Sequence, residues 1–314
     1  MIVHKDINSA VIKNPFVTVG VFDGVHLGHQ LIFKELNAFS EINRGESTVI
    51  TFWPHPKMVI DSAKDDLMMI TSIDEKIELI EKMGIDHLIV LPFTKEFSHL
   101  TSKDFIEYYL CEKLNIKGLL IGFNHRFGKD REGNFEVLKQ YADRLQFKIK
   151  KVEALSVDNV SISSTIIRNA LLNGQIEKAN SYLSREFTIL GEVVNGKQLG
   201  RDIGFPTANI NADFNLKLIP RDGVYAVKVQ VNSVEYPGML NIGNRPTVNL
   251  GNEGKSIEVH IIGFIGNLYG EKIQISFYSR VRDEIKFKDI HQLVQQLNKD
   301  KVNIMNYFSK MKGN

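Results

Sequence analysis

The apolar pattern of this chain changes period once, close to residue 185, and no single type of layer accommodates both patterns. Before that point, short apolar runs alternate with stretches of helical spacing. Phe16–Val21 is apolar and β-branched and runs into a loop rich in Gly, Asp and His. Leu31, Ile32, Leu36 and Phe39 then mark a helix over residues 27–39. Thr48–Trp53 predicts a second strand, ended by Pro54-His55-Pro56. Ser72 and Glu75 have the spacing of a capping box, opening a helix through Ile77, Ile80 and Met83, with Gly84 at its C-terminal cap. Thr101 and Asp104 repeat that spacing before a helix reaching Leu114. Asp86–Leu91, Gly118–Gly122 and Phe147–Val152 supply three further strands. Repetition of strand, helix and strand predicts a parallel sheet covered on both faces, with ligands gathering at the carboxyl ends of its strands. The polar clusters follow the first, second and fourth strands, where that rule wants them.

After Arg185 the period becomes two. Tyr225, Val227, Val229 and Val231 alternate with Lys228 and Gln230, and Asn232-Ser233 forms a tight turn into Val234–Leu240. Ile257–Ile262 and Ile273–Phe277 add strands, and only 289–308 reads as helical. The expected fold is therefore α/β followed by all-β: a Rossmann-like parallel-sheet domain over 1–185, then a small antiparallel β-barrel with a terminal helix over 186–314. A length of 314 residues suits two cores better than one.

Charge narrows the partners. With 39 basic and 37 acidic residues, nothing draws the chain non-specifically to nucleic acid or to an anionic membrane. An anionic ligand must be gripped by local features. The single cysteine, Cys111, permits no intrachain disulfide and reads as a buried structural thiol in a reducing compartment. The start of the sequence lacks a signal-peptide profile, and no apolar run reaches the roughly 20 residues of a membrane span. A cytoplasmic location is expected.

The most informative string is Thr18-Val19-Gly20-Val21-Phe22-Asp23-Gly24-Val25-His26-Leu27-Gly28-His29. Its glycines let backbone approach a ligand closely, and a helix begins just beyond them. Amide donors and the positive end of the helix dipole then face an anion. His26 and His29, three apart, can both point at one phosphate chain. The pair also has the spacing of a zinc-ligand pair, but no third ligand lies nearby in sequence. Taken alone, the string is equally a tight turn with two solvated histidines. As a block it resembles the phosphate-binding motif of HxGH nucleotidyltransferases, and specifically of prokaryotic FAD synthetases.

Two later strings carry the same resemblance. Gly122-Phe123-Asn124-His125-Arg126-Phe127-Gly128-Lys129 resembles that family's Gly-x-Asp/Asn-x-x-Phe-Gly segment, which implies nucleotide contacts for Asn124 and Arg126. Ser163-Ser164-Thr165-Ile166-Ile167-Arg168 resembles its Ser-Ser-Thr-x-x-Arg motif, although hydroxyls opening a helix are also ordinary N-caps. Three positions depart from the pattern. Val21 stands for a common Asn, Trp53 for the acid of Glu/Asp-Pro-His-Pro, and His125 for a common Phe.

In the second half, Gly200-Arg201-Asp202-Ile203-Gly204-Phe205-Pro206-Thr207-Ala208-Asn209 places a hydroxyl and an amide oxygen two residues apart, on one face of an extended chain. It is not a Walker sequence, since no Gly-Lys-Ser/Thr follows. The block resembles the riboflavin kinase motif Gly-Phe-Pro-Thr-Ala-Asn. That resemblance implies Mg²⁺ on Thr207 and Asn209 and a Gly-rich loop, Gly200 to Pro206 with Arg201 and Gly204, over the phosphates of ATP. Asn241-Ile242-Gly243-Asn244-Arg245-Pro246-Thr247 resembles the family's Asn-Ile-Gly-x-x-Pro-Thr. Ser256-Ile257-Glu258-Val259-His260 resembles a strand carrying an inward glutamate as base, and Arg282 takes a ligand-binding position. By alternation, Glu258 shares a face with His260 and opposes Ile257 and Val259; without the resemblance it reads as a solvated glutamate.

Together the blocks cover about residues 14–310 in the family order. They imply an enzyme that uses ATP and Mg²⁺ to convert riboflavin to FMN and FMN to FAD. Gly20, Phe22, Asp23, Gly24, Gly28, Ser163, Ser164, Thr165 and Arg168 line the first site, with His26 and His29 on the departing pyrophosphate. Two other readings stay open: a kinase whose first site has drifted, motivated by Val21, Trp53 and His125, and a flavin or nucleotide sensor without turnover. The retained Glu258 argues against the sensor, which needs no base.

Overall fold

The computed structural model describes residues 1–60, 67–123, 135–153, 155–157, 160–196, 199–212, 216–244 and 255–312, with backbone alone at 156, 157, 160, 199, 212, 244 and 312. It divides into two compact units, Met1–Ser164 and Thr165–Asn314.

In the first unit, β1 (Ile2–His4), β2 (Pro15–Val19), β3 (Glu46–Trp53), β4 (His87–Pro92), β5 (Gly118–Gly122) and β6 (Lys148–Val152) form one sheet in the order β1-β4-β3-β2-β5-β6. Every pairing is parallel. Between the strands lie a 3-10 turn (Ile7–Ser9), α1 (Leu27–Ile42), α2 (Pro56–Ile60), α3 (Ile73–Glu81), α4 (Lys95–Ser98), α5 (Ser102–Asp104) and α6 (Phe135–Leu145). Alternation along the strands feeds two cores. Phe16, Val49, Leu88 and Leu120 pack with Phe33 and Leu36 of α1 and Ile80 of α3 on one face. Val17, Val19, Ile50, Ile89, Leu119 and Ile121 pack with Phe105, Leu110 and Leu138 on the other. Strands burying both faces read as continuous apolar runs, which is why the sequence announces them. The chain passes from β2 outward to β3 and β4, then crosses to β5 on the other flank of β2. That reversal opens a ligand crevice beside the end of β2.

The capping box at Ser72 forms as expected: Ser72 Oγ accepts from the Glu75 N–H at 3.1 Å and Glu75 accepts from the Ser72 N–H at 2.7 Å. The helix expected to run from Thr101 to Leu114 does not stay α-helical. After α5 the backbone continues as a π-helix over Phe105–Lys113. Cys111 is half-buried there, and burial raises its thiol pKa.

β7 (Ser156–Val157) and β8 (Val160–Ser161) form a small antiparallel pair. α7 (Ser164–Leu172) begins at the last residue of the first unit; it and α8 (Ile176–Leu183) precede the second unit's closed antiparallel barrel, of order β10-β13-β12-β11-β14-β9. Its strands are β9 (Phe187–Val194), β10 (Ala208–Ala212), β11 (Gly223–Val231), β12 (Val234–Asn244), β13 (Lys255–Ile261) and β14 (Lys272–Arg282), with α9 (Leu199–Asp202) between the first two. Asn232 and Ser233 both take positive φ, 46° and 68°, the turn geometry that matches strand twist in a two-residue hairpin. The final helix, α10 (Ile290–Lys312), lays Ile304 and Phe308 against Phe205, Met239, Ile262 and Tyr278 on the outer wall.

Candidate active sites

The loop leaving β2 is held in an unusual shape. Phe22 and Val25 are both buried, and both take left-handed φ values of 52° and 40°, as does Gly24 at 84°. Only glycine adopts that region without cost, and a β-branched valine there is strained. Strain of this kind persists where surroundings over-determine it, and it gathers at functional sites. The over-determination is visible. The Asp23 carboxylate accepts from the Ile70 and Thr71 N–H groups at 3.0 and 3.1 Å. Thr71 Oγ1 accepts from the Gly24 N–H at 3.1 Å, and Ser164 Oγ donates to the Asp23 carbonyl at 2.8 Å. Asp23 and Ser164 thus brace the loop. Gly20, directly after β2, donates its N–H to the Ile50 carbonyl at 3.0 Å.

His26 is the N-cap of α1, yet its side chain does not cap the helix. Its ring stacks on His29 with centroids 3.6 Å apart and 21° between planes, while Phe22 meets His29 edge-on at 5.1 Å. Gly28 completes the first turn under the His26 ring. The Nδ1 atom of His29 is sealed from solvent and has no hydrogen bond among the described residues. Burial, reinforced by His26 and Lys76, lowers the His29 pKa well below that of a free imidazole. His29 is therefore neutral near pH 7, and the stacked pair at the start of α1 is not a dication. β3 ends at Trp53, whose bond to Pro54 is cis. Ser163 is half-buried. On α7, Thr165 is exposed and Arg168 half-buried. Asn124 and Arg126 lie outside the described residues.

In the second unit, four expected residues fall in one row across the barrel. Asn209 of β10 pairs with Glu258 of β13, Glu258 with Asn241 of β12, Asn241 with Val224 of β11, and Val224 with Arg282 of β14. Residues directly opposite on adjacent strands present side chains to the same face. The next row on that face, His260, Met239 and Ala226, meets α10 through Met239 and Ala226. Glu258 therefore does not point into the barrel, as the resemblance implied. The interior is filled by the opposite face, where Val259, Leu240 and Tyr225 align in register and are fully buried. Glu258 lies on the outer, α10-bearing face, half-buried.

The row is anchored at both ends. Arg282 Nε donates to Asp300 Oδ2 at 2.9 Å, and Asp300 is 1% exposed on α10. Asn241 Nδ2 donates to Glu284 Oε1 at 3.0 Å. At the other end, residues 199–206 form a turn of helix and a tight return in place of an open Gly-rich loop. The Phe205 N–H donates to the Gly200 carbonyl at 2.8 Å, and a Cβ on Gly200 would lie 2.2 Å from the Phe205 carbonyl oxygen. His260 Nδ1–H donates to the Pro206 carbonyl at 2.8 Å, fixing the entry to β10. Arg201 and Gly204 are exposed, Thr207 is half-buried and Asn209 is buried. His260, which sequence reasoning left without a role, is thus the support beneath the Pro206-Thr207 segment. Its signal was the period-two alternation that puts it beside Glu258.

An α/β unit with a braced His-x-x-His turn at its switch point, followed by a barrel with a polar cross-strand row, defines a two-site enzyme class acting on nucleotides. Known proteins with the same pairing agree. The FAD synthetase family matches residues 9–166 and the riboflavin kinase family residues 183–308. Bifunctional riboflavin kinase/FMN adenylyltransferases of Listeria monocytogenes and Bacillus subtilis are 38% and 39% identical over 95% and 94% of this chain, covering 94% and 93% of their own lengths. A crystal structure from Streptococcus pneumoniae, described as a macrolide-efflux protein, is 32% identical with a TM-score of 0.88, covering 97% of this chain and 98% of that one. No helix among the described residues is long and apolar enough to cross a membrane. The chain belongs to the family of bifunctional riboflavin kinase/FMN adenylyltransferases.

Proposed function

We propose that residues 186–314 phosphorylate riboflavin to FMN with ATP, and that residues 1–185 transfer AMP from ATP to FMN, giving FAD and pyrophosphate. The reading rests above all on the row Asn209–Glu258–Asn241, which sets one carboxylate between two amides on a single face.

For phosphorylation, Glu258 accepts the proton of the ribityl 5′-hydroxyl as its oxygen attacks the γ-phosphorus. Asn241 and Arg282 orient substrate along the row, and the 199–206 return covers the phosphates. Thr207 and Asn209 offer a hydroxyl and an amide oxygen, neutral hard donors that fit Mg²⁺ when ATP phosphates and water complete its shell. Bound Mg²⁺ would supply charge neutralisation on the phosphoryl oxygens.

For adenylylation the FMN phosphate is already anionic and needs no base. It attacks the α-phosphorus of ATP while His26 and His29 hold the departing pyrophosphate, so catalysis is positioning and electrostatic preorganisation. Asn124, Arg126, Ser163, Thr165 and Arg168 are assigned to the nucleotide on the family resemblance. The setting proposed is cytoplasmic, which suits a chain with one half-buried thiol.

The test is a time course of purified protein with riboflavin, ATP and Mg²⁺, flavins separated by chromatography. FMN rising first and FAD following is the expected result. FMN without FAD, even from added FMN, would leave a kinase with a silent first site. Binding of flavin without conversion would leave a sensor.

A further inference from the structure

Lys76 occupies a position where an amphipathic helix normally carries an apolar residue. It stands four residues before Ile80 on α3, so the two share a face, and both are fully shielded from solvent. Its ammonium has three donors to place, and among the described residues it makes no hydrogen bond. Asp23 opposes its charge. Yet both Asp23 carboxylate oxygens already accept from the Ile70 N–H, and one also from the Thr71 N–H and hydroxyl. The Trp53 ring centroid is 5.9 Å from Lys76 Nζ, at the outer limit of a cation–π contact. Burial pulls the ammonium pKa down to about 8. On its own, such a group only destabilises the fold.

The same place holds a second unmet group. His29 Nδ1 is also buried without a hydrogen bond, and Lys76 and His29 interact electrostatically. A buried ammonium and a buried imidazole nitrogen, both without hydrogen-bond partners among the described residues, beside a strained loop at a sheet switch point suit an anionic ligand. The anions that adenylyl transfer brings to this loop are phosphates.

We infer that Lys76 is a phosphate-binding residue of the adenylylation site, donating from α3 to a phosphate oxygen of the bound substrate alongside the histidine pair. The inference rests on the adenylylation reading above. The phosphate has two possible sources, the polyphosphate of ATP and the 5′-phosphate of FMN.

Lys76→Met and Lys76→Arg in the full chain test it, with FAD formation measured while ATP and FMN are varied in turn. A charge-assisted hydrogen bond to phosphate predicts a loss of about ten- to a hundredfold in kcat/KM for Lys76→Met. Partial recovery in Lys76→Arg and unchanged riboflavin phosphorylation are expected with it. A raised KM for ATP with weaker inhibition by pyrophosphate identifies the nucleotide; a raised KM for FMN identifies the flavin phosphate. Unchanged FAD kinetics in Lys76→Met would overturn the inference. So would a loss accompanied by a lowered melting temperature and no recovery with arginine, which marks a structural prop. If the wild type makes FMN but no FAD, the adenylylation reading fails by itself. Calorimetric binding of inorganic pyrophosphate and of FMN, wild type against Lys76→Met, then decides the role of Lys76: weakened binding of either supports it, equal binding of both refutes it.

Discussion

Asn209 and Glu258 stand directly opposite one another across β10 and β13, so a buried amide and a half-buried carboxylate share one face of the barrel. Asn241 flanks Glu258 from the other side. Neither neighbouring strand, β10 or β12, carries a cation to compete for that carboxylate. Glu258→Gln preserves shape and removes the base. FMN formation should fall about 100- to 10,000-fold while FAD formation from supplied FMN is unchanged, as flavin chromatography will read. Retained FMN formation would remove Glu258 from the mechanism.

The histidine stack makes the converse separation. Replacing both His26 and His29 by alanine should lower FAD formation about 100- to 1,000-fold, the usual scale for lost transition-state donors, and spare FMN formation. Full FAD formation in the double variant would show that the pyrophosphate is held elsewhere.

The lowered His29 pKa has a kinetic sign. His29, already neutral at pH 7, stays neutral as the pH falls to 6, so kcat/KM for adenylylation should show no limb from His29 across that interval. Lys76, with a pKa of about 8, titrates on the alkaline side. Among the described residues, Asp23 and His29 interact with it electrostatically. If its ammonium binds phosphate, kcat/KM declines as the pH rises through about 8, and Lys76→Met loses that limb. A pH-rate profile from 5.5 to 9.5 checks both.

Lys76 also carries a stability prediction of opposite direction. Its folded pKa lies below the ordinary 10.5, so the unfolded chain binds more protons and stability rises with pH between about 8 and 10.5. Below pH 8 the full penalty is present, of the order of 3 kcal/mol for a shift of that size. Lys76→Met should therefore melt at the same or a higher temperature at neutral pH while making FAD poorly, which thermal unfolding of the variant will show.

Gly200 tests the phosphate cover of the kinase. A methyl group there meets the Phe205 carbonyl oxygen at 2.2 Å, and the obstacle is backbone that cannot step aside. Gly200→Ala should reopen the 199–206 return, raising KM for ATP in FMN formation about tenfold or more, at roughly 1–3 kcal/mol of stability. FAD formation from FMN serves as the internal control.

What the sequence disclosed follows from the range of the interactions involved. The Ser72–Glu75 box and the Asn232-Ser233 turn are set by neighbours within three residues, and both form where expected. β2 to β5 of the sheet read as apolar runs because both faces are buried. β10 carries Asn209 and Asn211 in five residues and becomes a strand only because β9 and β13 pair with it. β9 alternates correctly, but Gly191 removes an apolar side chain from its buried face. The π-helix at 105–113 leaves no mark in apolar spacing. The outward face of Glu258 was readable from Ile257 and Val259, which take the interior; the family resemblance alone pointed it inward. The brace on Asp23 was not readable, since its partners lie 47 residues away.

That brace has a consequence for synthesis. The turn carrying His26 and His29 is complete once about thirty residues have been made, but Phe22 and Val25 resist its shape. The bonds that impose it come from Ile70 and Thr71, then from Ser164, 141 residues downstream. Closing such long loops is entropically late in any folding sequence. The turn therefore emerges from the ribosome with its sequence written but its shape not yet set. Shaping it finally awaits Ser164, the last residue of the first unit.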